Sequence, residues 1–140
     1  MRLVIDASVA VKWFAPQRPG EQDVDKAILL SNLLDRAETE LFAPAHWIVE
    51  ILAVLARIEP GCVDAALITM SDTAPRVIDD LQTTQRALAL AVQLNHHLFD
   101  TLYHAVALET GATLVTADSA YFNKACSLGA ITYLADFKPS

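Results

Sequence analysis

The sequence predicts an α/β fold: a parallel β-sheet covered by helices on both faces. Three observations carry this. Short, continuously apolar runs recur along the chain, as strands buried on both sides require. Stretches with helical periodicity lie between them, so strands and helices alternate. The chain has 140 residues, 54% of them apolar, enough for one well-buried core. Residues 1–140 read as one domain, with no repeat, low-complexity tract or long linker.

Each element has a local reason. "RLVI", 2–5, is a short apolar strand. "PQRPGEQD", 16–23, is the loosest stretch, broken by Pro16, Pro19 and Gly20. Residues 24–38 carry Ile28, Leu29, Leu33 and Leu34 at helical spacing. "LFA", 41–43, predicts a second strand. Pro44 suits a helix start, and 45–58 continues as a helix until Pro60-Gly61. A helix covers roughly 62–71, "RVIDDL" at 76–81 suggests a strand, and 84–95 is helical. The helix at 100–110 is stopped by Gly111. "ATLVT", 112–116, is a strand rich in β-branched residues. A short helix at about 119–127 and the strand "ITYL", 131–134, complete the pattern.

Composition excludes several classes. No apolar run is long enough to span a bilayer. The N-terminal run is interrupted by Asp6 and Lys12 without a small-residue cleavage site, which argues against a signal peptide. Cys62 and Cys126 are isolated and read as reduced core residues of a cytoplasmic protein. A net charge of −7 opposes broad affinity for nucleic acid, but not a local basic rim around an acidic, cation-holding site.

The acidic residues carry the chemistry. Asp6 follows the first strand and Asp118 follows the strand at 112–116. If those strands are parallel and central, both carboxylates emerge at the carboxyl edge, where open α/β sheets bind ligands. Each is equally readable as a helix cap. Asp100, at the start of its helix, is open to both readings too. Glu50 shares a stripe with Trp47, Ile51, Val54 and Ile58. A Glu on an apolar stripe pairs with Arg57, lies on a face that becomes exposed at the helix end, or points at a cation shared with the three Asp residues. Four gathered carboxylates repel one another, and a divalent ion removes the conflict. An all-oxygen set suits Mg²⁺ or Mn²⁺. Zinc is disfavoured, because the cysteines are single and the histidines lack an i, i+4 pair. His96, His97 and His104 read as surface or capping residues. Ser8 and Thr116 offer hydroxyls for a water or a metal-bound oxygen, or are plain turn and strand hydroxyls.

"VIDASVAVKWF" (4–14), "APAHWIVEILAVL" (43–55) and "LFDTLYHAVALETGATLVTADSAYF" (98–122) together resemble the PIN domain. The likeness is to the VapC-type toxins of bacterial and archaeal toxin–antitoxin pairs, and it runs in order over nearly the whole chain. It implies a three-layer α/β/α sandwich with a short central parallel sheet. The implied activity is Mg²⁺-dependent endoribonuclease cleavage of RNA, with Mn²⁺ as a substitute ion. It assigns the catalytic and metal-holding quartet to Asp6, Glu50, Asp100 and Asp118, with Ser8 and Thr116 as supporting hydroxyls. One departure stands out. Where many relatives have a basic residue just after the last Asp, this chain reads Ser119-Ala120, and Lys124 is the nearest cation. Lys12, Arg18, Arg57 and Lys124 are the candidate RNA contacts.

The resemblance also implies an antitoxin partner and a homodimer. Val11, Trp13 and Phe14 offer a surface for the antitoxin, or are simply buried. The nearly all-apolar helix 45–58 has a second face for a dimer. The competing reading is an inactive PIN-like module that docks a protein partner. A phosphotransfer domain is disfavoured, because it wants paired acids after the first strand and a lysine near the last. A phosphatase with two Asp separated by one residue fails because position 8 is Ser.

Overall fold

A computed structural model describes residues 1–139. Its order is β1 (Arg2–Ile5), α1 (Ala7–Phe14), α2 (Val24–Leu34), β2 (Glu40–Ala43), α3 (Trp47–Ile58), α4 (Val63–Thr73), β3 (Arg76–Val77), α5 (Leu81–Leu94), α6 (Leu98–Thr110), β4 (Thr113–Thr116), α7 (Ser119–Ala125) and β5 (Ile131–Tyr133). The five strands are parallel, in the order β3-β2-β1-β4-β5. The chain runs outward from β1 to β3, then returns across the sheet to β4. Right-handed crossovers therefore place α1–α4 on one face and α5–α7 on the other. The direction of winding reverses between β1 and β4, so a crevice opens at their carboxyl ends.

The predicted α/β/α sandwich is what forms, and burial explains the apolar runs. Leu3, Val4 and Ile5 of β1 and Leu114 and Val115 of β4 are buried on both faces. Helix α3 turns Trp47, Ile51 and Leu55 to the core at four-residue spacing. Helix α6 is covered almost all round, and Thr101 Oγ1 fastens it to α5 by donating to Ala87 O at 2.8 Å. Gly111 closes α6 at φ 69°, in the left-handed region that favours glycine.

Several boundaries differ from the sequence pattern for local reasons. Only Arg76–Val77 of "RVIDDL" is strand. Asp80 is extended and caps α5, accepting from Thr83 N at 3.2 Å and Thr83 Oγ1 at 2.6 Å, so the helix starts at Leu81. Helix α2 stops at Leu34, short of residue 38, and the chain turns toward β2. Cys126 is exposed and Cys62 only partly buried, so neither is a core residue in the expected sense; both are free thiols. Val11 is buried, and Trp13 packs on the core with Nε1 donating to Ala27 O at 2.7 Å. Trp13 and Phe14 are only partly buried, so the stretch packs on the core and still presents some apolar surface.

Candidate active site

Asp6 leaves the end of β1 and sits at the start of α1 without capping it. Its side chain is instead held from the neighbouring strand end. Ser8 Oγ donates to Asp6 Oδ2 in a short hydrogen bond, and Thr116 Oγ1 donates to the same oxygen at 3.0 Å. Both hydroxyls are themselves fixed by the backbone. Ala117 N donates to Ser8 Oγ at 3.0 Å and Asp118 N to Thr116 Oγ1 at 3.1 Å. Their single protons are therefore spent on Asp6 and are not available to hold a water. Asp6 is 8% exposed, and burial pushes its pKa up to about 6. The two hydroxyls oppose that rise, and the charges of Asp100 and Glu50 add to it.

Asp118 is both a site residue and a cap: its Oδ1 accepts from Tyr121 N at 3.1 Å at the head of α7. The cap leaves the other oxygen for the crevice. Asp100 lies in the first turn of α6 and is half-buried. Burial raises its pKa, the hydrogen bond and charge of His96 lower it, and the charges of Glu50 and Asp118 raise it. Glu50 does not pair with Arg57, which points outward from the last turn of α3. Its Oε2 accepts from Tyr103 Oη at 2.7 Å. His46 Nε2 comes within 3.1 Å of that oxygen but off the line a hydrogen bond needs, and the nitrogen is otherwise unpartnered among the described residues. Tyr103 is fully buried; burial first, and then the charge of Glu50, hold its hydroxyl protonated far above the usual range. It is therefore a fixed donor.

The four acids thus share one electrostatic neighbourhood, each with its own donor. Ligating atoms of Asp100, Asp118 and His96 all lie within 4.8 Å of one another. Asp6 and Glu50 are outside that tight group and join the site through their charges. The donor set fits a hard divalent ion: carboxylate oxygens predominate, their mutual repulsion is uncompensated, and part of the site is dry. Of the four acids, Asp100 and Asp118 are the pair whose ligating atoms come within shared-ion distance of one another.

His97 is exposed at the head of α6, as expected, but His96 and His104 depart from expectation. His104 is fully buried in the core, where Nδ1 accepts from Tyr121 Oη at 2.9 Å and Nε2 donates to Gly129 O at 2.8 Å. Burial depresses its pKa, which keeps the ring neutral. His96 and His46 each pair with an acid four residues on, Asp100 and Glu50. A search for paired histidines misses them; the His-x₃-acid spacing is the signal that finds both.

The candidate RNA contacts are mostly engaged. Lys12 Nζ lies 2.8 Å from Glu21 Oε2 and is largely covered. Arg18 Nη1 is 3.6 Å from Glu21 Oε1, with the guanidinium still exposed. Lys124 Nζ donates to Asn95 O at 2.9 Å and reaches His96 Nδ1 at 3.3 Å. Arg57 is exposed.

Comparison with known proteins bears on this geometry. Among curated proteins none matches the chain in sequence. Solved structures do match in fold. A Mycobacterium tuberculosis toxin, VapC20, described as cleaving the Sarcin-Ricin loop, is 16% identical over 83% of this chain and 91% of its own, with a TM-score of 0.65. VapBC2 from Rickettsia felis, solved with a DNA fragment from its promoter, is 14% identical over 95% and 97%, with a TM-score of 0.66. VapBC-1 from nontypeable Haemophilus influenzae is 15% identical over 97% and 100%, with a TM-score of 0.65. The family model described as the PIN domain matches residues 3–128. With a match over most of its length, the chain belongs to the PIN-domain family.

Proposed function

We propose that this chain is a divalent-metal-dependent endoribonuclease, the toxin of a type II toxin–antitoxin pair. The observation that supports the reading is the mutual electrostatic influence of Asp6, Glu50, Asp100 and Asp118 in a PIN fold, with each acid held by its own donor. Those four side chains would hold Mg²⁺ or Mn²⁺, which when bound would supply activation of a water for in-line attack on a phosphodiester and charge neutralisation at the departing oxygen. Ser8 and Thr116 keep Asp6 ionised against its burial, and Tyr103 fixes the direction of Glu50. Arg57, Arg18 and Lys124 are the exposed cations of the candidate set; with Lys124 engaged by Asn95 O and His96, the two arginines are the better placed to meet phosphate.

An antitoxin partner follows from the fold likeness to VapBC complexes. A homodimer follows from the outer side of α3, where Val49, Ala53 and Ala56 form an exposed apolar stripe opposite the core stripe. The test is direct. Purified protein incubated with total RNA should cut it with Mg²⁺ and not with EDTA, and Asp6→Asn should abolish cutting. Cutting by Asp6→Asn at the wild-type rate, with metal stripped and restored, would overturn the assignment. Absence of any carboxylate-dependent Mn²⁺ binding by calorimetry would favour the inactive docking module instead.

A further inference from the structure

Resting on that metal-site reading, we propose that Lys124 and His96 form a positioning pair that fixes Asp100 as a ligand, with His96 itself outside the ion's coordination shell. His96 lies in the short connection between α5 and α6, just after Asn95 ends α5 at φ 50°. Its ring packs edge-on against Tyr121 at 4.8 Å, and its side chain is only 10% exposed. It is a built part of the site and not a loose surface imidazole.

The two ring nitrogens face different partners. Nε2 is 2.8 Å from Asp100 Oδ2, and Nδ1 is 3.3 Å from Lys124 Nζ. An ammonium has only protons to offer, so the Nδ1 that faces it presents its lone pair. The proton of the neutral ring then sits on Nε2 and is donated to Asp100. Lys124 is held in place by Asn95 O, so the tautomer is fixed from outside.

This decides between two roles for His96. Its Nε2 lies close enough to Asp100 and Asp118 to belong to a ligand cluster. A ligating nitrogen needs a free lone pair, and here that position carries the proton. His96 is therefore the donor that occupies Asp100 Oδ2 and leaves Oδ1 for the ion. The arrangement parallels the other three acids, where Ser8 with Thr116, Tyr103, and the backbone of Tyr121 do the same for Asp6, Glu50 and Asp118. Outer partners of this kind typically govern metal affinity by ten- to hundredfold. It also accounts for Lys124, which the sequence places near the last Asp and which the fold ties, still exposed, to Asn95 O and His96 Nδ1.

The test uses the full chain, Mn²⁺ and four variants. Long-range ¹H–¹⁵N NMR of the metal-free protein should show His96 protonated at Nε2 and bare at Nδ1, with that preference lost in Lys124→Met. Calorimetric Mn²⁺ affinity should fall about ten- to hundredfold in His96→Leu. It should stay within a few-fold of wild type in His96→Gln, whose amide N–H replaces the donor. Electron spin-echo spectroscopy of bound Mn²⁺ should show no directly coordinated imidazole nitrogen. A coordinated nitrogen, an Nδ1-protonated ring, or wild-type affinity in His96→Leu overturns the proposal while leaving the metal site standing. Failure of the wild-type chain to bind Mn²⁺, or unchanged binding in Asp118→Asn, overturns the metal-site reading itself.

Discussion

Replacing Asp6 by Asn should stabilise the metal-free protein even as it destroys the site. In the folded chain, burial raises the Asp6 pKa from 3.8 to about 6. That rise of about two units corresponds to about 3 kcal/mol of folding stability withheld at neutral pH. The sign follows from which state takes up the proton. Above pH 6 both states are ionised and the folded one carries the whole penalty. Between pH 6 and 3.8 the folded state binds the proton first and the penalty shrinks. Below 3.8 both are protonated and it is gone. Asn carries no such penalty at any pH. Its carbonyl oxygen replaces Oδ2 and accepts from Ser8 and Thr116, while its amide N–H₂ takes the place of Oδ1 in a partly dry site at a cost of about 1 kcal/mol.

The net expectation is a gain of about 2 kcal/mol at pH 7.5 in EDTA. For a chain of this size that is about 8 °C in Tm, readable by calorimetry. The gap should narrow as pH is lowered toward 5. Mn²⁺ provides the cross-check. Saturation to about a hundred times Kd should add about 2.7 kcal/mol to wild type alone and reverse the order. An Asp6→Asn variant less stable than wild type in EDTA at pH 7.5, or a gap that ignores pH, would refute the account of Asp6 as a strained, metal-awaiting carboxylate.

Further expectations follow from other contacts. Tyr103→Phe removes the 2.7 Å donor to Glu50 while keeping the buried ring, so Mn²⁺ affinity should fall about tenfold with little change in Tm; unchanged affinity by calorimetry argues against Glu50 as a holder. His104→Leu orphans Tyr121 Oη and Gly129 O and should cost about 2–3 kcal/mol at pH 7.5 in chemical denaturation. Because burial lowers the His104 pKa, wild type loses stability as pH falls below about 6.5 while the variant does not, so that difference should narrow in acid; a widening difference contradicts the neutral-ring assignment. Val49→Glu puts a charge on the exposed α3 stripe and should leave a monomer by light scattering. A persistent dimer would move the interface, with exposed Leu88 and Val92 on α5 the next face to test.

The acids were legible because strand ends and helix stripes are local facts. "RLVI" before Asp6 and "ATLVT" before Asp118 mark two parallel strands, and the fold does set them side by side. The donors behind the acids were not legible in the same way. Tyr103 and Glu50 are 53 residues apart in the chain, and Thr116 and Asp6 are 110 apart. No periodicity links such positions; only packing across the sheet edge does. His96 and Asp100 are close enough in sequence, but the informative pattern is a donor followed by an acid, not a pair of metal-binding histidines. Asp80 shows the reverse error: an apolar-looking run reads as strand until a capping carboxylate ends it.

The donors also explain why the fold tolerates its own site. Gathering ionised groups in a half-dry crevice is unfavourable, and the pKa of Asp6 records the strain. A protein selected for stability alone would place an amide or an apolar residue there. Instead, the hydroxyls of Ser8 and Thr116 draw the Asp6 pKa down, and the imidazole of His96 does so for Asp100; both lean toward the ionised form without neutralising it. Each donor occupies one side of its acid, so the remaining oxygens converge on space and not on protein. Had the aim been a salt-bridged core, a lysine or arginine would face these acids directly. Lys124 stops one residue short of Asp100, spending its charge on His96 and a carbonyl. The compensating positive charge that the protein does not place against these acids is what the divalent ion proposed above would supply.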